Sequence, residues 1–471
     1  MKENVKLNKM GTQPIYKVML TMGIPMILSM VLQACYNIVD SMFVARIPDT
    51  NGISNMVEYA VNALTLAFPV QMLIVAFSIG TGVGVNALLA KSLGQNNKEK
   101  VAFVAGNGIA LGLIIYIIFF ILGLVGIDFY MQTQTENQIV LSMGREYLMI
   151  CTLLSVGIIM FSIYEKLLQS TGKTVYSTIA QIAGALINII LDPILIFGYF
   201  GIPQMGIAGA AYATVIGQFV SMIIAMIFHY CKNSEVKFGF KYFKIKFSVV
   251  KEIYIIGFPA IIMQALMSFM CYGVNIILGT ISMSCVTAYG IFYKIQQFVF
   301  FAGFGLRDAI TPIVSFNYGM NSKKRVKDGM KYGLLYISII TLLGFIALEL
   351  FAPQLISLFG LSGDTADLCV IATRIISIGL LFAGGNIALQ GVFQALGCGF
   401  SSLVISLLRQ FIVVLPLAIM FSVFNNAKFW IWFAFPIAEI IAFVCAVALM
   451  VKVYNSKINK MGDIAVYEEL S

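Results

Sequence analysis

Charged residues are scarce in this chain of 471 residues. Asp, Glu, Lys and Arg together make up 11% of it, against about 25% in a soluble domain. Hydrophobic residues account for 60%, and the mean hydropathy is +0.93. A water-soluble fold cannot bury so much apolar surface, so this composition excludes a soluble protein and indicates a lipid bilayer as the solvent.

The residue patterns of metal centres and catalytic sites are also missing. The eight cysteines lie singly in or beside apolar runs with no CxxC pair, and His229 is the only histidine. No arrangement of a nucleophile and a base is visible. We therefore predict no enzyme activity, no catalytic residues and no cofactor. Residues 1–17 also lack the pattern of a cleaved signal peptide.

Long apolar runs recur along the whole chain, each able to cross a hydrocarbon core about 30 Å thick. They predict an all-α membrane protein with twelve transmembrane helices. We place these near 18–45, 60–90, 101–125, 139–168, 175–199, 205–231, 250–279, 286–316, 332–352, 367–396, 401–424 and 429–453.

The net charge of +9 comes from lysines and arginines in short segments between the apolar runs. These segments fall mainly on one side of the predicted bundle, which the positive-inside rule assigns to the cytoplasm. We expect both termini to be cytoplasmic, in a cell (inner or plasma) membrane. Membrane lipids, and not nucleic acid, are the expected partners of these basic residues.

The chain also repeats itself. Gly94 and Asn96 correspond to Gly319 and Asn321 at one constant offset, and 168–172 corresponds to 393–397 at the same offset. Each half is therefore a six-helix lobe, with lobes predicted at 1–235 and 236–471. Because six is even, both lobes share one orientation and should be related by a pseudo-two-fold axis along the membrane normal, a plan used for alternating access.

Ionisable residues inside apolar runs are functional candidates, because each costs at least a few kcal/mol in the bilayer. Asp192 follows Asn188 by one helical turn, so the two side chains share a face, and Pro193 removes a backbone donor. Carboxylate, amide and carbonyl oxygens suit a monovalent cation or an exchangeable proton. On helix 1, a second polar stripe joins Gln33, Asn37 and Asp40. The alternative is that these groups only join helices by hydrogen bonds.

These residues resemble a known family. The Asn188/Asp192-Pro193 element, followed by 206–214, is similar to the most recognisable stretch of the multidrug and toxic compound extrusion (MATE) family. The likeness continues at 312–319, at Arg409-Gln410 and in the opening Gly23-Ile24-Pro25 with Asp40, and so spans essentially the whole chain. It implies a prokaryotic, DinF-like antiporter of the MOP flippase superfamily whose N-terminal lobe binds the coupling ion.

Carried onto this sequence, the ion site would consist of Asp40, Asn188, Asp192 and Thr214, and helix geometry adds Asn37. Na⁺ is a candidate ligand of Asp40, Asn188 and Asp192. In the second lobe Asp192 corresponds to Leu417 and Asn188 to Val413, so the site belongs to the first lobe alone. For Asp308, contact with a cationic substrate and a structural pairing with Arg307 or Arg409 are both open. The residues predicted to line a substrate cavity are Gln33, Tyr36, Met267, Tyr272, Asn275 and Asp308.

The expected function is efflux of lipophilic, often cationic small molecules by a monomer in exchange for H⁺ or Na⁺. A flippase for lipid-linked sugars is the nearest alternative, but its pyrophosphate substrates call for basic residues that helices 1 and 2 lack before Lys91. An ion channel would usually present a symmetric ring of filter groups from several chains. This chain presents one asymmetric pair of acids.

Overall fold

A computed structural model of the protein describes residues 8–44, 46–48, 56–237, 239–359 and 363–462, and every regular element within them is helical. We number the principal helices α1 to α12, counting segments separated by short breaks as one helix. Their bounds are α1 Ile15–Val44, α2 Met56–Gly94, α3 Lys98–Gln134, α4 Gln138–Leu153 with Val156–Ser170, α5 Thr174–Phe197, α6 Gly206–Lys232, α7 Phe247–Ile281, α8 Met283–Gly319, α9 Lys323–Ser357, α10 Gly363–Ser377 with Leu380–Ala395, α11 Gly399–Ser422 and α12 Ala427–Ile458.

Ten helices of the described chain are long and apolar enough to cross a membrane by themselves. The two segments of α4 meet at a bend of 42° and those of α10 at a bend of 48°, and counting each bent pair as one span gives twelve. The predicted all-α membrane class is thus confirmed.

Several helices are longer than the apolar runs that predicted them. α3 continues to Gln134 where we expected an end near 125, and α9 begins at Lys323 where we expected 332. The extension of α9 is mainly charged, and that of α3 mixes polar residues with Ile127 and Met131, which are buried against other helices. Hydropathy identifies only the part of a helix that lies in the hydrocarbon, whereas the backbone hydrogen bonds continue into water.

Three irregularities interrupt helices that the sequence predicted to be continuous. α4 breaks after Leu153, α10 breaks after Ser377, and α11 contains a π-helical turn at Leu408–Ile412. At the second break, Gly379 lies so close to α12 that an added Cβ would meet Glu439 at 3.4 Å. Apolar residues flank each irregularity, so a hydropathy pattern does not register it.

The internal repeat is visible in the backbone. Asn96 and Asn321 have left-handed φ angles of 55° and 59°, and Gly172 and Gly397 have φ angles of 81° and 70°. The members of both pairs are 225 positions apart, so the turns after α2 and α8, and those after α4 and α10, adopt the same conformation. Glycine and asparagine tolerate this region best, which explains why these residues recur.

The contacts of the chain group into two compact units. The N-terminal unit comprises Val31–Leu89 and Lys98–Gly257, and the C-terminal unit comprises Met1–Met30, Ala90–Asn97 and Phe258–Ser471. Three helices, α1, α2 and α7, therefore contribute residues to both units. The lobes at 1–235 and 236–471 stay a prediction.

Two close backbone approaches mark the ends of α2 and α8 in the C-terminal unit. Gly94 lies against the carbonyl oxygen of Phe316, and Gly319 lies against the carbonyl oxygen of Lys91. A side chain at either glycine would collide with that oxygen. Since both glycines and both carbonyl residues are 225 positions apart, the second contact is the repeat image of the first.

The short helix Lys9–Thr12 that precedes α1 is also fixed in the C-terminal unit. The carbonyl oxygen of Met10 accepts hydrogen bonds from Asn317 (3.0 Å) and Arg325 (2.9 Å), and Arg325 also donates to the carbonyl of Gln13 (2.7 Å). The side chain of Met10 is fully buried. The beginning of α1 therefore has a defined position against α8 and α9.

Candidate ion-binding site

Helices α5 and α6 pack closely because small residues face each other along their contact. A Cβ at Gly217 would lie 2.7 Å from the carbonyl oxygen of Gly184, and a Cβ at Gly209 would lie 2.6 Å from the backbone of Leu195. Small residues allow such approach between membrane helices. The two contacts lie on either side of Asn188 and Asp192 along α5, so polar side chains there meet those of α6.

Asn188 links the two helices at this point. Its amide nitrogen lies 3.4 Å from Asp192 Oδ1 and 3.4 Å from Thr214 Oγ1 on α6. Asp192 has no exposed surface, and Asn188 is buried as well. Three predicted site residues are thus brought together, and rotation of the Asn188 amide would turn its oxygen towards the other two.

Asp40 on α1 completes the group. Its carboxyl group is close enough to Asp192 for the two acids to interact electrostatically, and the phenol of Tyr36, one turn earlier, is close enough to interact with both. Two like-charged carboxylates at this distance repel each other unless a proton or a cation lies between them. The prediction that α1 and α5 contribute one acid each to a single site therefore has a geometric basis.

Three oxygens of this group have no hydrogen-bond donor within the described chain: Asp40 Oδ1, Asn188 Oδ1 and Asp192 Oδ2. No lysine or arginine of the described residues forms an ion pair with either acid. Buried acceptors without donors are costly. An all-oxygen set with negative charge suits Na⁺ or a proton, while the described residues contain no cluster of three or more His, Cys, Asp or Glu side chains.

One residue of the predicted stripe on α1, Gln33, contacts α5 away from the acid pair. Gln33 accepts a hydrogen bond of 2.9 Å from Gln181 on α5, which supports the packing of these helices. The side chain of Asn37 lies outside the described residues, so its assignment to the ion site stays a prediction.

Sequence reasoning missed the side chains that surround Asp40 on another face. Tyr147 and Cys151 on α4 are close enough for an electrostatic interaction with its carboxylate, and Gln71 on α2 donates to the Tyr147 hydroxyl at 3.2 Å. None of them is charged or stands out in an apolar helix. Only the fold brings them to Asp40.

A buried charged network in α4 was also missed. Lys166 is 1% exposed and donates to Gln169 at 2.9 Å, Gln169 donates to Glu165 at 3.0 Å, and the two charges lie 3.9 Å apart. In the sequence, two adjacent charged residues within the apolar segment 156–170, Glu165 and Lys166, could have indicated this network. Because the charges compensate each other, this network differs from the acid pair.

In the C-terminal unit, intramembrane charges form pairs of opposite sign. Arg307 donates to Asp308 at 2.9 Å. Arg409, which lies on the π-helical turn, donates to Glu439 at 2.9 and 2.5 Å, and Asn386 donates to the second oxygen of Glu439 at 2.8 Å. The structural pairing of Asp308 with Arg307 is thus present, and its contact with substrate stays a prediction.

The residues predicted to line a substrate cavity are divided between the units. Gln33 and Tyr36 belong to the N-terminal unit, and the other four belong to the C-terminal unit. There, Met267 is half-buried, Tyr272 and Asn275 are exposed, and Asp308 is buried. This assignment also stays a prediction.

Known proteins are similar to this chain over nearly its whole length. The chain is 29% identical over 449 residues to the multidrug export protein MepA of Staphylococcus aureus strain MSSA476, with 94% of each covered, and 26% identical over 441 residues to MepA of Staphylococcus haemolyticus strain JCSC1435, again with 94% of each covered.

Solved structures show the same fold. The outward-facing conformation of a multidrug resistance MATE family transporter of the MOP superfamily aligns with a TM-score of 0.87 at 23% identity, covering 96% of this chain and 99% of that one. A MOP superfamily transporter from Pyrococcus furiosus aligns with a TM-score of 0.86 at 23% identity, covering 95% and 98%. The MatE family model matches residues 25–194 and 259–420, which is more than half of the chain, and so this protein belongs to the MatE family of membrane transporters.

Proposed function

We propose that this protein is a secondary multidrug efflux antiporter that exchanges H⁺ or Na⁺ for lipophilic, often cationic small molecules. The observation that carries the proposal is the pair Asp40 and Asp192, which have no basic partner among the described residues and leave buried oxygens without donors. The names of the similar multidrug export proteins support the substrate class. Both termini would be cytoplasmic, and the working unit would be a monomer.

Exchange requires that the ion favours one facing state over the other, because a ligand that binds both states equally drives nothing. Asp40 lies on α1, whose residues up to Met30 group with the C-terminal unit and whose residues from Val31 group with the N-terminal unit. A cation or proton between Asp40 and Asp192 would hold α1 and α5 together. Ion occupancy would thus act on a helix that both units share, and substrate would be released as that helix changes its contacts.

Uptake of a fluorescent organic cation into inverted vesicles, which corresponds to efflux from the cell, tests the proposal. Wild type, Asp192→Asn and the control Asp128→Asn would be compared under a proton gradient alone and a sodium gradient alone. Asp128 is a suitable control because it is half-exposed and pairs with Arg145 at 2.5 Å, away from the acid pair. We expect ion-driven efflux in wild type and the control, and none above empty vesicles in Asp192→Asn.

Wild-type efflux by Asp192→Asn would contradict the assignment of the ion site. Absence of transport by wild type under both gradients would instead favour a flippase for lipid-linked substrates. The gradient that drives efflux identifies the coupling ion.

A further inference from the structure

The segment 232–251, which we call the linker, runs from the last residue of α6 through the first turn of α7 and is strongly basic. From Lys232 to Lys251 it contains six lysines and one glutamate. Since it joins the ends of two membrane-spanning helices, it must lie at the boundary between membrane and water. Its charge and its position together suggest a partner at the membrane surface.

The backbone of the linker is held against α3 by hydrogen bonds to Asn107. The fully buried Asn107 donates to the carbonyl oxygens of Tyr242 (3.4 Å) and Lys244 (3.2 Å) and accepts from the backbone N–H of Lys246 at 2.8 Å. The ring of Tyr242 packs edge-on against Phe103, with 5.1 Å between centroids. The lysines of this segment therefore project from a fixed backbone.

No acid of the described residues neutralises these lysines. Lys237, Lys241 and Lys244 are exposed and form no ion pair with any described residue. The nearby carboxylate of Glu252 is already occupied by Lys100, at 2.7 Å. A surface that holds several uncompensated positive charges in place attracts anions.

Apolar side chains are exposed among the lysines. Ile245 is 52% exposed and Phe247 is 80% exposed, on either side of Lys246. Large apolar residues interleaved with lysines are typical of segments that lie in the interface of an anionic membrane, where the apolar groups enter the acyl region and the lysines meet phosphates. A soluble anion would offer no apolar contact for the exposed ring of Phe247.

We propose that the linker, residues 232–251, is a docking surface for the headgroups of anionic phospholipids. Lys241 and Lys244 would bind the phosphates, and Phe247 would insert among the acyl chains. Bound lipid would hold the beginning of α7 at a fixed depth. This role is independent of what the protein transports.

Thermal unfolding of the full-length protein in micelles of zwitterionic phosphatidylcholine, titrated with phosphatidylglycerol, tests the proposal. Wild type would be compared with Lys241→Gln/Lys244→Gln and with the control Lys452→Gln/Lys460→Gln. The control removes the same charge from exposed lysines at the end of α12, which lies on the same side of the membrane since six spans separate the ends of α6 and α12.

We expect phosphatidylglycerol to raise the unfolding midpoint of wild type. The linker variant should need about 25-fold more for half of the effect, since each lysine near an anionic surface contributes about fivefold. The control should respond like wild type within about twofold, and Phe247→Ser should respond more weakly than wild type.

An equal response of wild type and the linker variant would overturn the proposal, and so would an equal loss in the control. The same unfolding midpoint is also measured with inorganic phosphate in place of phosphatidylglycerol. If inorganic phosphate raised the midpoint as much as phosphatidylglycerol, the surface would be a site for a soluble anion and not for lipid.

Discussion

The two halves of the repeat use the same pair of helices in opposite ways. In the first half, α5 and α6 hold Asp192, Asn188 and Thr214, and no lysine or arginine of the described part of the chain forms an ion pair with Asp192. In the second half the equivalent helices, α11 and α12, hold the buried ion pair of Arg409 and Glu439. Because Glu439 is 225 positions after Thr214, the acid of that pair occupies the place of a neutral site residue.

The two contacts differ at the position that is Gly184 in the first half and Arg409 in the second. Arg409 is 225 positions after Gly184, the residue that lets α5 approach α6, and it lies on a π-helical turn where α5 is regular. The second half therefore supplies its own cation at this contact. At the corresponding contact of the first half, the described residues include Asp192 and no basic side chain paired with it, which is why we propose that a proton or cation from solution neutralises it. At this position of the repeat, a glycine in the first half and an arginine in the second half separate a contact without a basic partner from one that contains its own ion pair.

Breaking the buried ion pair of Arg409 and Glu439 should have the largest effect on the free energy of unfolding. Arg409→Ala leaves Glu439 buried without its partner, and we expect a loss of about 3–5 kcal/mol in the free energy of unfolding, measured by denaturant titration in micelles. Removing both charges, in Arg409→Met/Glu439→Leu, should restore most of that loss. If the double variant were as unstable as the single one, the pair would not be the reason for the effect.

Removing an acid from the other half should not lower the stability. Asp192→Asn eliminates a like-charge repulsion, so we expect no loss of stability in choline chloride. Na⁺ or low pH should stabilise wild type, by about 2.7 kcal/mol at an ion concentration of 100 times its dissociation constant, and should leave the variant unchanged. The unfolding midpoint in sodium chloride, compared with choline chloride at equal ionic strength, measures this difference. A variant that still responds to both ions would show that they bind elsewhere.

Breaking the exposed ion pair of Arg145 and Asp128 should have the smallest effect on the free energy of unfolding. Arg145 and Asp128 are about half-exposed, and water screens their attraction. We expect Arg145→Ala to change the free energy of unfolding by less than about 1 kcal/mol in the same titration. A loss as large as that of Arg409→Ala would mean that burial is not what distinguishes the pairs.

Much of this contrast could be predicted from the sequence. The repeat offset predicts that Leu417 and Val413 are the residues of the second half that correspond to Asp192 and Asn188. The four-residue spacing predicts that Asn188 and Asp192 lie on one face of their helix. Polar side chains in apolar helices are visible in a sequence because they are costly in lipid. That is why the family resemblance and the geometry agree on α5.

Other features could not be predicted, for physical reasons. The π-helical turn at Leu408–Ile412 depends on packing against α12, and hydropathy has the same value on either side of it. The surroundings of Asp40 include Tyr147 and Gln71, which are ordinary residues in separate helices. Which uncharged side chains meet an acid is determined by tertiary contacts, and periodicity does not contain that information.

The reciprocal approach of Gly94 to Phe316 and of Gly319 to Lys91 has the form of an isologous interface, in which residue i meets j and j meets i. A homodimer of a single six-helix chain would make this contact twice with one pair of residues. In such an ancestor one glycine would have served both sides, whereas the fused chain must retain two. In a fused chain the two copies can differ away from this surface, and there the first half carries Asp40 and Asp192 while the second carries the buried pair of Arg409 and Glu439.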